Sequence, residues 1–164
     1  LQMDSAFVRP GRFADFPGLR ALGYRWADST WQRWEIYDND AVIGGSGVYF
    51  SAMDLARWAS AFAEGCAVAP EVLAKGQQSP IIDGRPSAIT GLSWYCDNAK
   101  ARCQYGGVYN AFFSLAYWDR TRREAVAIAT NSSIPPWSWI TLQRDLVAAL
   151  AGEPPSPPPP ALVA

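Results

Sequence analysis

The stretch Gln104-Tyr105-Gly106-Gly107-Val108-Tyr109-Asn110-Ala111-Phe112-Phe113-Ser114-Leu115-Ala116-Tyr117-Trp118-Asp119-Arg120 decides the predicted fold. Aromatic and β-branched residues favour strands, so residues 103–118 predict one strand with glycines near its start. A charged turn over residues 119–123, expected to be a solvated hairpin tip, leads to a second strand over residues 124–130. Residues 90–96 predict a third strand. Because short connections join antiparallel neighbours, we expect an antiparallel sheet.

Two helices are predicted from apolar residues at helical spacing. The first begins at Ser51, with Asp54 three residues later as in a capping box, and ends at Gly65. The second covers residues 138–151 and ends at Gly152. Their apolar positions are Leu55, Trp58, Ala59 and Phe62 in the first helix, and Ile140, Leu142, Leu146, Val147 and Leu150 in the second.

The remaining segments have weaker patterns. Residues 1–43 are aromatic-rich, and partial alternation from Tyr24 to Tyr37 predicts one or two short strands or a loop over a groove, with the aromatic rings in core or lid packing. Residues 70–86 predict a short helix and a loop, because Gly76 and two prolines break anything longer. Prolines cannot continue a helix, so residues 153–164 predict a disordered tail.

Composition indicates a folded globular chain and excludes some functions. The 164 residues are 49% hydrophobic, which is enough for one sizeable core. Nucleic-acid binding is not expected, because 14 basic residues are balanced by 15 acidic residues and form no long run. No apolar stretch is long enough to span a membrane, and no signal peptide is visible.

Histidine is absent and the cysteines have no metal-site spacing. Without histidine the chain cannot hold a Ser-His-Asp or Cys-His triad, and it lacks the commonest zinc ligand. The three cysteines are Cys66, Cys96 and Cys103, and none forms a C-x-x-C pair. If the strands before and after residues 97–102 pair, Cys96 and Cys103 face each other and a disulfide would indicate an oxidising compartment. Three reduced thiols are the alternative.

Four motifs, in order along the chain, resemble motifs of serine β-lactamase-type hydrolases. Tyr105-Gly106-Gly107 stands where that family has Lys-Thr-Gly, His-x-Gly or Trp-x-Gly at the start of an active-site strand. Residues 1–7 (LQMDSAF) resemble the family's PLGM segment, and residues 91–95 (GLSWY) resemble its G-L-G-W. Residues 44–58 (GGSGVYFSAMDLARW) resemble its GG-x-x-S-T-x-x-D-L-A-R-F segment. The resemblance covers residues 1 to about 150.

The resemblance implies an α+β fold of the β-lactamase-like (transpeptidase-like) type. Residues 1–152 would be the C-terminal portion of that domain, with an antiparallel sheet and a C-terminal helix packed on it, followed by the tail over residues 153–164. A serine hydrolase related to class C β-lactamases and penicillin-binding proteins cleaves an ester or amide through an acyl-serine intermediate, without cofactor or metal.

The family's nucleophile motif is missing from this chain. That motif is Ser-x-x-Lys, but Val72 and Asp97 stand three residues before the only lysines, Lys75 and Lys100. In the family this motif and a later Tyr-x-Asn both precede the PLGM segment. We therefore expect the chain to be a fragment whose partner is the N-terminal half of the same protein. The chain alone is expected to be inactive.

The resemblance also assigns site residues. The backbone amide of Val108, after the motif's last glycine Gly107, would donate to the oxyanion of the substrate. The other residues expected to contact the substrate are Tyr105, Gly106, Tyr109 and Asn110. The small glycines would let the substrate approach the strand, although they are also compatible with a purely structural role in a twist or bulge.

The substrate would be a small ester or amide, or a peptide-like molecule. Lysine in Lys-Thr-Gly places a cation near a substrate carboxylate, whereas Tyr105 offers a neutral hydroxyl. Uncharged esters or amides are therefore expected to be preferred to β-lactams. The alternative is a non-catalytic binding module with a degenerate β-lactamase-like fold. A periplasmic or secreted location is favoured slightly over others.

Three further motif matches are interpreted as coincidences. Tyr37-Asp38-Asn39 fits Tyr-x-Asn by its letters but follows the PLGM-like segment. Ser46 lies in a sequence like a nucleophile elbow, yet no histidine is present to activate it. The residues Asp38, Asn39 and Asp40 lack the remaining ligands of a calcium loop.

Overall fold

The computed structural model describes residues 1–8, 20–34, 47–87, 90–91, 94–132 and 136–157. These residues form a mixed α+β fold with antiparallel strand pairs, as the sequence predicts. The chain divides into two compact units, Leu1–Ser133 and Ile134–Ala164. The elements in chain order are β1 (Phe7–Val8), β2 (Tyr24–Ala27), β3 (Thr30–Arg33), β4 (Val48–Tyr49), α1 (Ala52–Ala63), α2 (Pro70–Gly76), β5 (Ile81–Ile82), β6 (Arg85–Pro86), β7 (Tyr95–Cys96), β8 (Arg102–Tyr109), β9 (Phe112–Asp119), β10 (Glu124–Thr130) and α3 (Pro136–Leu150).

The main sheet is an antiparallel meander of four strands in the order β10-β9-β8-β7. The predicted single strand over residues 103–118 is wrong, because β8 and β9 are separated by a two-residue turn at Asn110-Ala111. Asn110 has a φ of 51°, a left-handed conformation that asparagine tolerates better than most residues. Aromatic residues on both sides of this turn give it the composition of a continuous strand.

The two other strand predictions also need adjustment. Of the described residues between 90 and 96, only Tyr95 and Cys96 are in a strand, because hydrogen bonds between Thr90 and Trp94 form a closed loop before them. There the Thr90 amide donates to the Trp94 carbonyl at 2.9 Å, and the Trp94 amide donates to Thr90 Oγ1 at 3.2 Å. The predicted turn over residues 119–123 is present, but Asp119 is buried rather than solvated. Its carboxylate accepts from the amides of residues 121 and 122 and so closes the turn.

Helix α1 begins as predicted at the Ser51 N-cap. The Ser51 hydroxyl accepts from the Asp54 amide at 3.0 Å. The Asp54 carboxylate is 1% exposed and does not complete a capping box, since it accepts instead from the Ser5 amide at 3.0 Å and from Arg57 at 3.1 Å. Asp54 therefore connects α1 to the N-terminal segment.

The hydrophobic core lies between α1 and strands β9 and β10. Its centre is a cluster of four rings, Trp58, Phe62, Trp94 and Trp118, with centroids 4.7–5.7 Å apart in the contacting pairs. Most of these contacts are edge-to-face, which is a favourable arrangement for aromatic rings. The predicted apolar face of α1 is thus confirmed as the core-facing side.

Small hairpins surround the sheet. The β2–β3 hairpin confirms the prediction of short strands in residues 1–43, although Ile36 and Tyr37 lie outside the described residues. Trp26 and Trp31 pair across it at 5.3 Å but remain 57% and 53% exposed, so this pair lies outside the core. In residues 70–86 the helix α2 is confirmed, and the predicted loop contains the β5–β6 hairpin.

The second unit consists of α3 and the segment that follows it. The helix predicted over residues 138–151 is confirmed and begins two residues earlier, at Pro136. The Ser156 amide donates to Asp145 at 3.0 Å, which lowers the pKa of that carboxyl, so the described part of the tail is attached to the helix. Packing of α3 on the sheet stays a prediction, as does disorder of the tail.

Candidate active-site strand

The predicted site residues lie in β8 and at the turn that follows it. Cys103, Tyr105, Gly107 and Tyr109 alternate along the strand and share one face. This face points towards α1, because Cys103 is part of the core cluster that α1 forms. The sheet therefore presents Tyr105 and Gly107 on the same side.

The backbone N–H and C=O groups of successive β8 residues point alternately towards β7 and towards β9, and one hydrogen bond shows which residues face β7. The Asp97 amide donates to the Arg102 carbonyl at 2.9 Å, so the polar backbone groups of Arg102 face β7. In an antiparallel strand this direction repeats at every second residue, which brings the amides of Gly106 and Val108 to the same side. The Val108 amide therefore points away from β9.

Beyond Gln104, this edge of β8 has no strand beside it within the described part of the chain. Strand β7 pairs only through Tyr95 with Gln104 and through Cys96 with Cys103. The loop closed by Thr90 and Trp94 ends the pairing there. The amide of Val108 is thus available at a sheet edge, and the Val108 side chain is 68% exposed.

The two glycines of the motif have different surroundings. Apart from its two chain neighbours, no atom of the described residues lies within 4 Å of a Cβ atom added to Gly107. A Cβ atom added to Gly106 would lie 2.9 Å from the Ser114 carbonyl oxygen and 3.1 Å from a Leu115 methyl carbon. Close packing against β9 therefore requires glycine at position 106, which is the structural role that the sequence left open. Gly107 leaves space on the α1-facing side of the strand.

The remaining predicted contact residues lie close to these glycines. Tyr105 is opposite Ala116 and is 44% exposed. Tyr109 is half-buried at the end of β8. Asn110 occupies the turn, and its buried Nδ2 has no hydrogen-bond acceptor within the part of the chain that the structure describes. The predicted residues from 105 to 110 are therefore contiguous at one end of the sheet.

The segment that begins the β2–β3 hairpin is attached to this end of the sheet. Asn131, just after β10, donates from Nδ2 to the Leu22 carbonyl and accepts from the Tyr24 amide, both at 2.8 Å. Between them, a Cβ at Gly23 would lie 3.0 Å from Ala111 and from Phe112. The β2–β3 hairpin therefore begins directly beside the turn that ends β8. No local sequence pattern signals a contact over so many residues.

Polar side chains lie on the face of the sheet opposite to Tyr105. Arg102 is on this face and its Nε donates to Asp97 at 3.1 Å. Burial alone would raise the pKa of Asp97, but hydrogen bonds from Arg102 and the Ala101 amide outweigh it and lower the pKa. On the same face, burial followed by the charge of Asp119 raises the pKa of Tyr117. Arg102 is therefore paired, and it faces away from Tyr105.

The structure also brings together one serine and one lysine that the sequence separates by 21 residues. Lys100 Nζ donates to Ser79 Oγ at 3.1 Å. This contact connects the β7–β8 loop to the segment after α2 and does not by itself identify a nucleophile. Ser46 and residues 37–40, which gave the coincidental motifs, lie outside the described residues.

The described residues hold no group of three His, Cys, Asp or Glu side chains that fits a metal ion. None of the helices in the described ranges has the length and apolar character needed to cross a membrane. Comparison of the chain with protein-family models and with curated proteins finds no match.

Proposed function

We propose that the chain forms one wall of the active site of a β-lactamase-type serine hydrolase. In this enzyme an ester or amide is cleaved through an acyl-serine intermediate. The nucleophile, its lysine and the general-base tyrosine are supplied from outside these 164 residues. This chain contributes the Val108 amide, which donates to the oxyanion, and the strand on which the substrate lies.

The observation that carries the proposal is the direction of the Val108 amide. Negative charge develops on the substrate carbonyl oxygen during acyl transfer, and a fixed backbone amide stabilises it without rearrangement. The Val108 amide points out of the sheet beyond the end of β7. Beside it, Gly107 has no neighbour where a side chain would be. A carbonyl group therefore has both a donor and space to approach.

Tyr105 supports uncharged esters or amides as the substrate class. It is on the same face as Gly107, and it offers a hydroxyl and an aromatic ring. Arg102 is the nearest arginine along β8, but it is paired with Asp97 on the opposite face. This chain therefore offers no arginine or lysine from β8 to a substrate carboxylate near Tyr105.

The kinetic test uses the full-length protein with a short-chain p-nitrophenyl ester. Gly107→Val should reduce the rate of the acylation burst about a hundred- to a thousand-fold, because its side chain blocks approach to the Val108 amide. Gly107→Ala is the matched control with a smaller side chain, and its acylation burst should slow less. Purified residues 1–164 alone should give no turnover, since the nucleophile is elsewhere. Turnover by the isolated chain that tracks its concentration, or an unchanged burst in Gly107→Val, would contradict the proposal.

A non-catalytic binding module is the second candidate, because the same open edge can pair with an extended peptide without any chemistry. A serine-directed fluorophosphonate separates the two. The enzyme reacts with one equivalent of reagent in the full-length protein. The binding module does not react, although it still binds a peptide-like ligand.

A further inference from the structure

A disulfide joins β7 to β8 at the point where their pairing is shortest. Cys96 and Cys103 are direct cross-strand partners and the bond between them is formed, so of the two alternatives that the sequence left open the structure has the disulfide. Strand β7 has only two residues. Its backbone pairing with β8 consists of Tyr95 opposite Gln104 and Cys96 opposite Cys103, and the Asp97 amide also donates to the Arg102 carbonyl. The disulfide is therefore one of a small number of connections that align β7 with β8.

Cys96 is the more accessible residue of the disulfide. Cys103 is 1% exposed and belongs to the core cluster, whereas Cys96 is half-buried. A small thiol reagent should therefore reach the bond from the side of Cys96.

The main core does not depend on the disulfide for its contacts. Trp58, Phe62 and Trp118 contact one another directly, and β9 and β10 pair along their whole length. Trp94, just before β7, is held in the same cluster by Phe62 and Trp118. Opening the bond should therefore loosen residues 95–97 and leave the rest of the sheet in place.

We propose that the Cys96–Cys103 disulfide is a reversible clamp that a dithiol opens and a small-molecule disulfide, reduced in turn to thiols, closes. One thiolate of the dithiol attacks Cys96 Sγ, the bond between the two protein sulfurs breaks, and Cys103 leaves as a thiolate that takes up a proton. The second thiol of the reagent then attacks the mixed disulfide and releases Cys96. Two electrons pass to the protein disulfide, and the dithiol becomes a cyclic disulfide.

The open clamp changes the sheet edge next to the candidate site. Release of β7 leaves the backbone groups of Arg102 and Gln104 without their partners, so the open edge of β8 becomes longer. Because β8 runs directly from Cys103 to Tyr105 and Val108, the same step loosens the start of the strand. This inference does not require that the strand be catalytic.

Hydrogen exchange with mass spectrometry tests the clamp without an activity assay. The experiment uses the variant Cys66→Ser, which removes the third thiol. Exchange is measured in the oxidised protein, after treatment with a dithiol, and after reoxidation. Peptides covering residues 95–104 should exchange at least about tenfold faster after reduction, whereas peptides from β10 should not change. Iodoacetamide should add two labels to the reduced protein only, and reoxidation should restore the original exchange. The double variant Cys96→Ser/Cys103→Ser should match the reduced protein.

Three results would overturn the proposal. The first is a disulfide that the dithiol cannot reduce while the protein is folded. The second is loss of protection throughout β9 and β10 on reduction, which would make the disulfide a requirement of the whole fold. The third is unchanged exchange over residues 95–104 in a protein that carries both labels. A failed hydrolase assay would affect none of these measurements.

Discussion

Gly106 lies so close to Ser114 that a Cβ atom at position 106 would be 2.9 Å from the Ser114 carbonyl oxygen. At its neighbour Gly107, an added Cβ atom would have no atom of the described residues within 4 Å apart from those of its chain neighbours. Two adjacent glycines of one motif therefore serve different purposes. Gly106 allows β8 and β9 to pack closely, and Gly107 keeps one face of β8 open.

Alanine substitutions at positions 106 and 107 should change the free energy of unfolding by different amounts. Gly106→Ala should lower the free energy of unfolding by about 1–3 kcal/mol, because backbone atoms of β9 must move to make room. Gly107→Ala is the matched control and should unfold like the wild type or be slightly more stable. Urea denaturation of the 164-residue chain measures both. Equal losses in the two variants would mean that the packing of β8 on β9 is described wrongly.

Phe62 should be among the most sensitive positions of the core. It is 4% exposed and contacts Trp58, Trp94 and Trp118. Phe62→Ala should therefore lower the free energy of unfolding by about 3–5 kcal/mol. Met53→Ala provides the control on the same helix, since Met53 is 62% exposed, and should change stability by no more than about 0.5 kcal/mol. A loss below about 1 kcal/mol for Phe62→Ala would argue against this core.

Asp97 should make the loop between β7 and β8 sensitive to acid. Hydrogen bonds from Arg102 and Ala101 overcome the effect of burial and hold its pKa below the ordinary value of 3.8. A carboxyl with a lowered pKa stabilises the folded state above its unfolded value, and this contribution is lost as the pH falls through the folded value. The stability difference between wild type and Asp97→Asn should therefore be full at neutral pH and shrink below about pH 4. Denaturation at several pH values measures it, and a difference that grows towards acid would contradict the assignment.

The sequence predicted the elements whose signals are local. Helix α1 has an N-cap serine and apolar residues at helical spacing, and β10 is a short apolar run after a charged turn, so both were predicted correctly. The facing cysteines were recognised because only six residues separate them. These patterns depend on neighbours in the chain and not on the rest of the fold.

Features that depend on distant contacts were missed. The turn at Asn110-Ala111 lies between aromatic residues, which hid it within a long predicted strand. The loop at Thr90 shortened β7 through a hydrogen bond that composition does not reveal. Which glycine packs against β9 and which is open depends on the pairing register, so the motif alone could not assign the two roles.

Replacement of Tyr105 by lysine should alter substrate selectivity in the full-length enzyme. A charge-assisted hydrogen bond to a carboxylate contributes about 1.5–3 kcal/mol, which corresponds to roughly ten- to a hundredfold in kcat/KM. The wild type should have a higher kcat/KM for a short-chain p-nitrophenyl ester than for a penicillin. Tyr105→Lys should therefore raise kcat/KM for the penicillin relative to that for the ester. Tyr105→Phe is the control that removes the hydroxyl without adding charge. A wild type that already favours the penicillin, or a lysine variant that gains nothing, would exclude this role for Tyr105.

The most direct measurement replaces one backbone group. An ester linkage in place of the amide between Gly107 and Val108, introduced by semisynthesis of the full-length protein, removes the Val108 N–H and leaves every side chain unchanged. We expect acylation by a p-nitrophenyl ester to slow about a hundred- to a thousand-fold. We expect folding to be unaffected, because this N–H points away from β9. Unchanged acylation in the ester-containing protein would contradict the proposal that Val108 donates to the oxyanion.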